Sequence, residues 1–112
     1  MIVWKWSLMS RVKSKAYSML GLATRSRNLV SGEFSTEKAI KEGKAFAVIV
    51  AEDASYNTKK QFRNSCEFYH VPYYEFGEKE ELGHAMGKGE RASLALTNEG
   101  FAKSIIKILG EV

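Results

Sequence analysis

The sequence predicts an α/β protein, a three-layer α/β/α sandwich in which five helices alternate with four strands. Helical and strand-like hydrophobic patterns follow each other along the chain after residue 10, an order that favours a sheet with helices on both faces. Residues 45–51 form an uninterrupted apolar run of strand length, as expected for a central strand covered on both sides. The length of 112 residues suits a single domain with one hydrophobic core.

The first helix is predicted to begin at Ser10, a suitable N-cap residue. Its apolar residues recur at helical spacing on one face: Val12, Ala16, Met19, Leu20 and Ala23. Residues 1–9 are apolar and aromatic but too short for a signal peptide, so we treat them as an N-terminal extension of a single domain spanning residues 10–112. The alternatives are that residues 1–9 form an extra strand, or that the native chain starts at Met9.

The other elements are bounded by residues that form turns or end helices. Strands are predicted at residues 29–32, 45–51, 73–76 and 92–97. Helices are predicted from Gly32 to Glu42, from the acidic turn 52–53 to a point before Pro72, from Glu78 to Met86, and from the cap Asn98 to Gly110. Gly43 ends the second of the five helices. In the third, we expect the buried stripe to consist of Phe62, Cys66 and Tyr69.

The composition excludes several classes of protein. No apolar run approaches the ~20 residues of a membrane-spanning helix. The 13 aromatic residues are more than a chain without a packed interior carries. The single cysteine, Cys66, cannot form an intramolecular disulfide, and no Cys/His cluster has zinc-ligand spacing. We therefore expect a cytoplasmic protein that holds neither a metal nor a cofactor.

The positive charge is concentrated in the first part of the chain. Residues 1–44 contain nine Lys or Arg against three Glu, a net charge of +6, whereas residues 45–112 have a net charge of −2. A basic region of this kind is expected of a protein that contacts phosphate backbones, although many small proteins are equally basic. Trp4 and Trp6 are expected to pack or to be disordered rather than to stack on bases.

No constellation of residues predicts catalysis. Residues 82–89 contain three glycines and a lysine, but their spacing does not match a nucleotide-binding phosphate loop, and we expect the glycines to shape a tight loop. Asp53 lacks the acidic partners that accompany a phosphorylated receiver aspartate. His70 and His84 have no carboxylate or nucleophile at a spacing that fixes geometry. The sequence therefore predicts a protein that is not an enzyme.

A strand-to-helix turn at Gly32 is the best candidate for a binding site. Glycine lets a phosphate or a base edge approach the backbone N–H groups at the start of the helix, whose partial positive charge attracts anions. Lys38 lies one to two turns into the same helix and Lys41 lies one turn beyond it, so both can reach along a nucleic-acid groove. An ordinary helix start with a solvated lysine face is the alternative.

From about Lys15 to Leu109, the chain resembles the L7Ae/L30e family of ribosomal proteins, in particular its short bacterial members of the YlxQ type. The resemblance is carried by residues 20–23 with Arg25, 30–32, 38–40, 43–45, 48–55, 57–60, Cys66, 71–73, 82–83, Ala85 and 87–88. It implies a ribosomal L30e-like α/β/α sandwich with a mixed sheet of four strands, in agreement with the order of elements above.

The resemblance also implies binding to kink-turn RNA, a duplex bent sharply at a short bulge flanked by sheared G·A pairs. In the family, a turn of the pattern Gly-x-Asn-Glu-x-x-Lys reads the guanines, and the loop before the last strand packs on the splayed bulge nucleotide. Gly32 and Lys38 match this pattern, whereas Phe34 and Ser35 stand where the asparagine and the glutamate would be. The loop 87–91 supplies charge but lacks an apolar residue for the bulged base.

We therefore expect a non-enzymatic, monomeric RNA-binding protein, ribosomal or ribosome-associated. Its expected partners are structured RNA and ribosomal or assembly proteins, and no membrane. The expected RNA-binding residues are Gly32, Glu33, Phe34, Ser35, Lys38, Lys41, Arg25, Arg27, Lys88 and Arg91. One alternative is a protein-interaction module in ribosome assembly or translation, for which the acidic stretch 75–81 is available. The other alternative is the substrate-binding part of an RNA ribose methyltransferase. Such enzymes also need a catalytic domain, which a chain of 112 residues cannot contain.

Overall fold

The protein is described here by a computed structural model that covers the backbone of residues 2–110 and the side chains of residues 8–110. Within this range, helices and strands alternate in the predicted order. The five helices are α1 (Ile2–Arg25), α2 (Glu33–Lys41), α3 (Tyr56–Tyr69), α4 (Lys79–Ala85) and α5 (Glu99–Leu109). The four strands are β1 (Leu29–Ser31), β2 (Ala47–Val50), β3 (Tyr73–Glu75) and β4 (Ser93–Leu96).

The four strands form one mixed sheet in the order β1-β4-β2-β3. β4 pairs antiparallel with both β1 and β2, whereas β2 and β3 are parallel. Every residue of β2 and of β4 is buried, so these two central strands are covered on both faces. The predicted fold class, a sandwich with five helices and a four-stranded mixed sheet, is confirmed.

The helices pack as two groups. α2 contacts α3 and the strands β1 and β4, while α1 contacts α4 and α5. Their inner faces enclose a continuous hydrophobic core whose largest fully buried apolar side chains are Phe62, Leu20, Ile40, Ile49, Leu82, Leu94, Leu96, Ile105, Val12, Val48 and Val50. This core fixes α2 on the sheet, and α2 carries five of the ten predicted binding residues.

The predicted start of α1 at Ser10 is wrong, because the helix begins at Ile2 and Ser10 is an exposed residue inside it. The alternative of an extra strand before Ser10 is wrong for the same reason. No glycine or proline interrupts residues 2–9, and extending an existing helix gains one hydrogen bond per residue fixed. Met1 and the side chains of Trp4 and Trp6 lie outside the described residues.

Tyr69 is not part of the buried stripe of α3, contrary to the prediction, although Phe62 and Cys66 are. It is the last residue of the helix, and the next residue, His70, turns the chain in the left-handed conformation. The ring of Tyr69 instead packs edge-on against Phe68, with the ring centres 4.9 Å apart. Helical spacing alone predicted burial there, but the helix ends before the core covers this turn.

The predicted helix ends at Gly43 and Asn98 are confirmed by their hydrogen bonds. Gly43, with φ of 73°, donates to the carbonyl of Ile40, and Lys44 donates to that of Ala39, which together form a Schellman motif. Asn98 accepts a hydrogen bond from the N–H of Phe101 at 2.9 Å and so caps α5. In the part of the chain that the structure describes, no helix is long and apolar enough to cross a membrane.

We expect Phe62→Ala to lower the free energy of unfolding by about 3–5 kcal/mol, because the ring is fully buried and its removal leaves a cavity. Phe34→Ala is the matched control: its ring is 79% exposed, and the loss should stay below about 0.5 kcal/mol. Urea denaturation of both variants measures the difference, and equal losses would contradict the described core.

The thiol of Cys66 should be unreactive in the folded protein. Burial, assisted by the carboxylate of Glu37, raises the pKa of this thiol to about 12, so almost no thiolate exists at pH 8. We expect its reaction with a disulfide reagent to be slower by about 100-fold or more in buffer than in guanidinium. Because Cys66 is the only cysteine, the unfolded chain is the control, and equal rates would show that the side chain is accessible.

Candidate nucleic-acid interface

The turn between β1 and α2 is held in place by the strand next to it. Gly32, the N-cap of α2, has φ of 94° and ψ of 160°, a backbone conformation that is essentially restricted to glycine. Its N–H donates to the carbonyl of Ser93 at 3.0 Å, and its carbonyl accepts from the N–H of Thr36 at 3.0 Å. Apart from its two chain neighbours, no described residue lies within 4 Å of the position that a Cβ on Gly32 would occupy, so the turn is open on its outer side.

The start of α2 leaves backbone donors available. No described side chain caps the helix at Gly32, and the first N–H groups of a helix have no partner within it. These groups, on Glu33, Phe34 and Ser35, sit at the positive end of the helix dipole. The arrangement suits an anionic group that approaches over the glycine.

Three side chains of α2 form an outward stripe, which we define as Phe34, Lys38 and Lys41. They are four and three residues apart and therefore lie on one face of the helix. All three are exposed, and none of them forms an ion pair among the described residues. The opposite face of the helix is buried against the sheet through Thr36, Ala39 and Ile40.

A groove runs along α2 beside the outward stripe, on the side of α3. Here the carboxylate of Glu37 accepts hydrogen bonds from Gln61 Nε2 at 3.0 Å and from Ser65 Oγ at 2.8 Å, which joins the two helices. The groove has a volume of about 560 Å³ and is lined by Glu33, Phe34, Glu37, Lys38, Lys41, Glu42 and Gln61. Phe34, Lys38 and Lys41 thus make one wall of this groove apolar and basic. The carboxylate of Glu37, which also lines the groove, is already hydrogen-bonded to two side chains of α3.

Arg91 lies next to the Gly32 turn although it is far away in sequence. Its Nε donates to Ser31 Oγ at 3.2 Å, and its Nη1 donates to the carbonyls of Gly89 and Glu90 at 3.3 and 3.0 Å. Ser31 pairs with Leu94 in the antiparallel ladder of β1 and β4, which places the residues before β4 at the end of β1. The structure therefore places Arg91, one of the predicted binding residues, beside the Gly32 turn.

The loop that carries Lys88 and Arg91 is packed against α4 by glycines. A Cβ on Gly83 would lie 2.0 Å from the carbonyl oxygen of Gly89, so the loop crosses the helix at a distance that only glycine permits. Gly87 has φ of 70°, and the N–H of Lys88 donates to the carbonyl of Gly83 at 2.8 Å. These contacts account for Gly83 and Gly87, two of the three glycines that were expected to shape a tight loop.

The other predicted residues do not gather at the turn. Lys88 lines a second groove together with Tyr17 and His84, and Arg25 lies beyond His84 in an adjoining depression between α1 and α4. Arg27 precedes β1 and Gly32 follows it, so that ~10 Å of extended strand separates them. The structure therefore brings together the residues of α2 and Arg91, places Arg25 and Lys88 on the α1–α4 side, and leaves Arg27 at the far end of β1.

Two acidic residues that follow β2 have structural roles. Asp53 accepts a hydrogen bond from the N–H of Lys79, the first residue of α4, at 2.9 Å, and Glu52 accepts one from the N–H of Gly77 at 3.2 Å. The described residues contain no group of three or more His, Cys, Asp or Glu that is placed to hold a metal ion.

Sequence reasoning missed the residues that support the site. Ser31 binds Arg91, and Gln61 and Ser65 bind Glu37. Another missed contact joins Ser93 Oγ to Thr36 Oγ1 at 3.3 Å and links β4 to α2 inside the core. Only Thr36 carried a detectable signal, because it shares the helical spacing of the buried Ala39 and Ile40. The others depend on contacts between segments 24 to 60 residues apart.

Comparisons with known proteins match most of the chain. The model of the ribosomal protein L7Ae/L30e/S12e/Gadd45 family matches residues 14–106. The RNA-binding protein YlxQ of Bacillus subtilis is 41% identical over 93 residues, which cover 83% of this chain and 93% of the relative.

Two solved structures resemble the fold. One is a protein with unknown function from Bacillus halodurans, with a TM-score of 0.83, 35% identity, and coverage of 86% of this chain and 97% of the other. The second is the 15.5kD RNA binding protein of Giardia lamblia, with a TM-score of 0.77, 22% identity, and coverage of 91% and 88%.

We expect Gly32→Ala to lower the free energy of unfolding by about 1–3 kcal/mol, because alanine is strained at φ of 94° even though the space for its methyl group is open. Gly89→Ala is the control, since its Cβ would also meet open space and its φ is not positive; the change should stay within about 0.5 kcal/mol. Urea denaturation tests both, and equal stabilities would contradict the described turn.

Proposed function

Because the chain belongs to the ribosomal protein L7Ae/L30e/S12e/Gadd45 family, we propose that it binds structured RNA bent at a kink-turn, as a cytoplasmic monomer. The family is non-enzymatic, as the sequence analysis predicted. The name of the Bacillus subtilis relative, an RNA-binding protein, supports an RNA ligand. We further propose the shape of this RNA, a kink-turn, and the surface of the protein that binds it.

One observation carries the proposal: the open Gly32 turn lies beside Arg91 and two lysines that form no ion pair with any described residue. A phosphate group that approaches over Gly32 meets the free N–H groups of α2, and the lysines of the outward stripe continue the positive surface along the helix. Arg91 adds a charge at the end of β1. A bent duplex brings several phosphates toward one such surface, so its shape is recognised through its backbone.

The side chains of the turn favour recognition of the shape of the RNA over hydrogen bonding to guanine edges. Phe34 and Ser35 replace the asparagine and glutamate of the family pattern, and Phe34 has no hydrogen-bonding group in its side chain. Affinity is then expected to come mainly from phosphate contacts, which depend strongly on salt. We assign direct contacts to the turn, the outward stripe and Arg91, with Lys88 and Arg25 at the flank and Arg27 acting through its long-range field.

The alternative of a protein-interaction module through the acidic stretch 75–81 is less well supported, because two of its four carboxylates, those of Glu75 and Glu81, are engaged within the molecule. Glu75 pairs with Lys59 at 3.7 Å and with Arg63 at 3.5 Å. Glu81 accepts a hydrogen bond from the hydroxyl of Tyr17 at 2.7 Å and pairs with Lys13 at 3.7 Å. These contacts leave less free negative charge for a basic partner than the sequence suggests.

The protein should bind a kink-turn RNA more tightly than a control RNA in which Watson–Crick pairs replace the G·A pairs. Titrations of both RNAs at ~150 mM salt measure the difference, since this salt concentration screens nonspecific attraction between exposed charges. Binding of the kinked RNA alone is the expected result. Equal weak binding of both RNAs would refute kink-turn recognition and leave only a basic surface.

Lys38→Ala should weaken binding of the kinked RNA by about 1–2 kcal/mol and reduce the dependence of log K on log salt by about one unit, because one phosphate contact is lost. The control is Lys107→Ala, which removes an exposed lysine from α5, remote from the outward stripe. Its effect should be small on both quantities. An unchanged affinity and slope for Lys38→Ala would exclude the outward stripe from the interface.

A further inference from the structure

Phe34 is a large apolar side chain whose position the fold does not explain. Its ring is 79% exposed, and among the described residues it makes no ring contact, in contrast to the exposed Phe68, which packs against Tyr69. It lies in the first turn of α2, on the face opposite the buried Thr36, Ala39 and Ile40. The ring therefore adds nothing to the core and is free to meet a ligand.

The neighbours of Phe34 indicate what kind of ligand this is. Lys38 and Lys41 follow the ring on the same face, about 6 and 10 Å further along the helix axis. Neither lysine forms an ion pair among the described residues. An aromatic face followed by uncancelled positive charges is the combination that binds unpaired nucleotides, whose bases stack while their phosphates meet cations.

The nearby acidic residues leave this combination intact. Glu37 is engaged by Gln61 and Ser65, and Glu42 pairs with Lys44 at 3.3 Å. Glu33 remains, and its single negative charge is outweighed by the two positive charges of Lys38 and Lys41, which line the same groove. The groove of about 560 Å³ beside the ring offers room for an extruded base.

We propose that the ring of Phe34 stacks on an unpaired base of the bound RNA, while Lys38 and Lys41 bind the phosphates next to that base. This inference rests on the proposed RNA-binding function and specifies its chemistry. The turn then recognises an unstacked nucleotide through an aromatic face in place of hydrogen bonds to guanine edges. A protein ligand fits the same surface less well, because lysine is depleted in the cores of protein interfaces.

A double-mutant cycle between protein and RNA tests the stacking contact. Each unpaired nucleotide of the kink-turn bulge is replaced in turn by an abasic residue, and each RNA is titrated with the wild type and with Phe34→Ala. We expect Phe34→Ala to bind the intact RNA about tenfold more weakly. For one abasic RNA, the same substitution should cause almost no further loss. Phe34→Tyr should bind like the wild type.

Phe68→Ala is the matched control, since it removes an equally exposed phenylalanine near the C-terminal end of α3, and it should leave RNA affinity unchanged. If the wild type prefers the kinked RNA but Phe34→Ala binds it equally well, the stacking contact is refuted while the proposed function stands. Additive losses for every abasic RNA also refute stacking. If the wild type shows no preference for the kinked RNA, the proposed function itself has failed.

Discussion

The central position of β4 is the constraint on which the candidate interface depends. This strand is the last in the chain, yet it pairs with both β1 and β2. Its carbonyl at Ser93 fixes the N–H of Gly32, its Ser93 hydroxyl contacts Thr36, and the preceding Arg91 reaches Ser31. The start of α2 is thus positioned by residues about 60 positions later, and the candidate interface exists only when the whole sheet has formed.

The fold also determines which charged side chains are available to a ligand. In the second part of the chain, acidic side chains stabilise the fold: Asp53 and Glu52 hold the segment before α4, and Glu75 contacts Lys59, Arg63 and Tyr73. The hydrogen bond from Tyr73 and the nearby cations hold the pKa of Glu75 below its usual value, which keeps this carboxylate ionised. The lysines of the outward stripe have no such partners among the described residues, so their charge is available to a ligand.

The sequence predicted the fold better than the site. Alternating hydrophobic periods, Gly43 and Asn98 identified the elements and several of their ends, because these signals are local. They failed at Ser10, where nothing in the sequence stops the helix from extending backwards, and at Tyr69, where the helix ends before the core covers it. The candidate binding residues of α2 could be grouped from the sequence because they lie close together in the chain. The roles of Ser31, Gln61, Ser65 and Ser93 depend on contacts across the fold, which no local pattern encodes.

The proposed interface is tested most directly by mapping amide chemical-shift changes on the labelled protein as kink-turn RNA is added. We expect the largest changes on residues 31–41 and on residues 88–91, because these two segments meet at one end of the sheet. Changes concentrated instead at Phe46, Phe68 and Tyr69, which lie toward the opposite end, would contradict it.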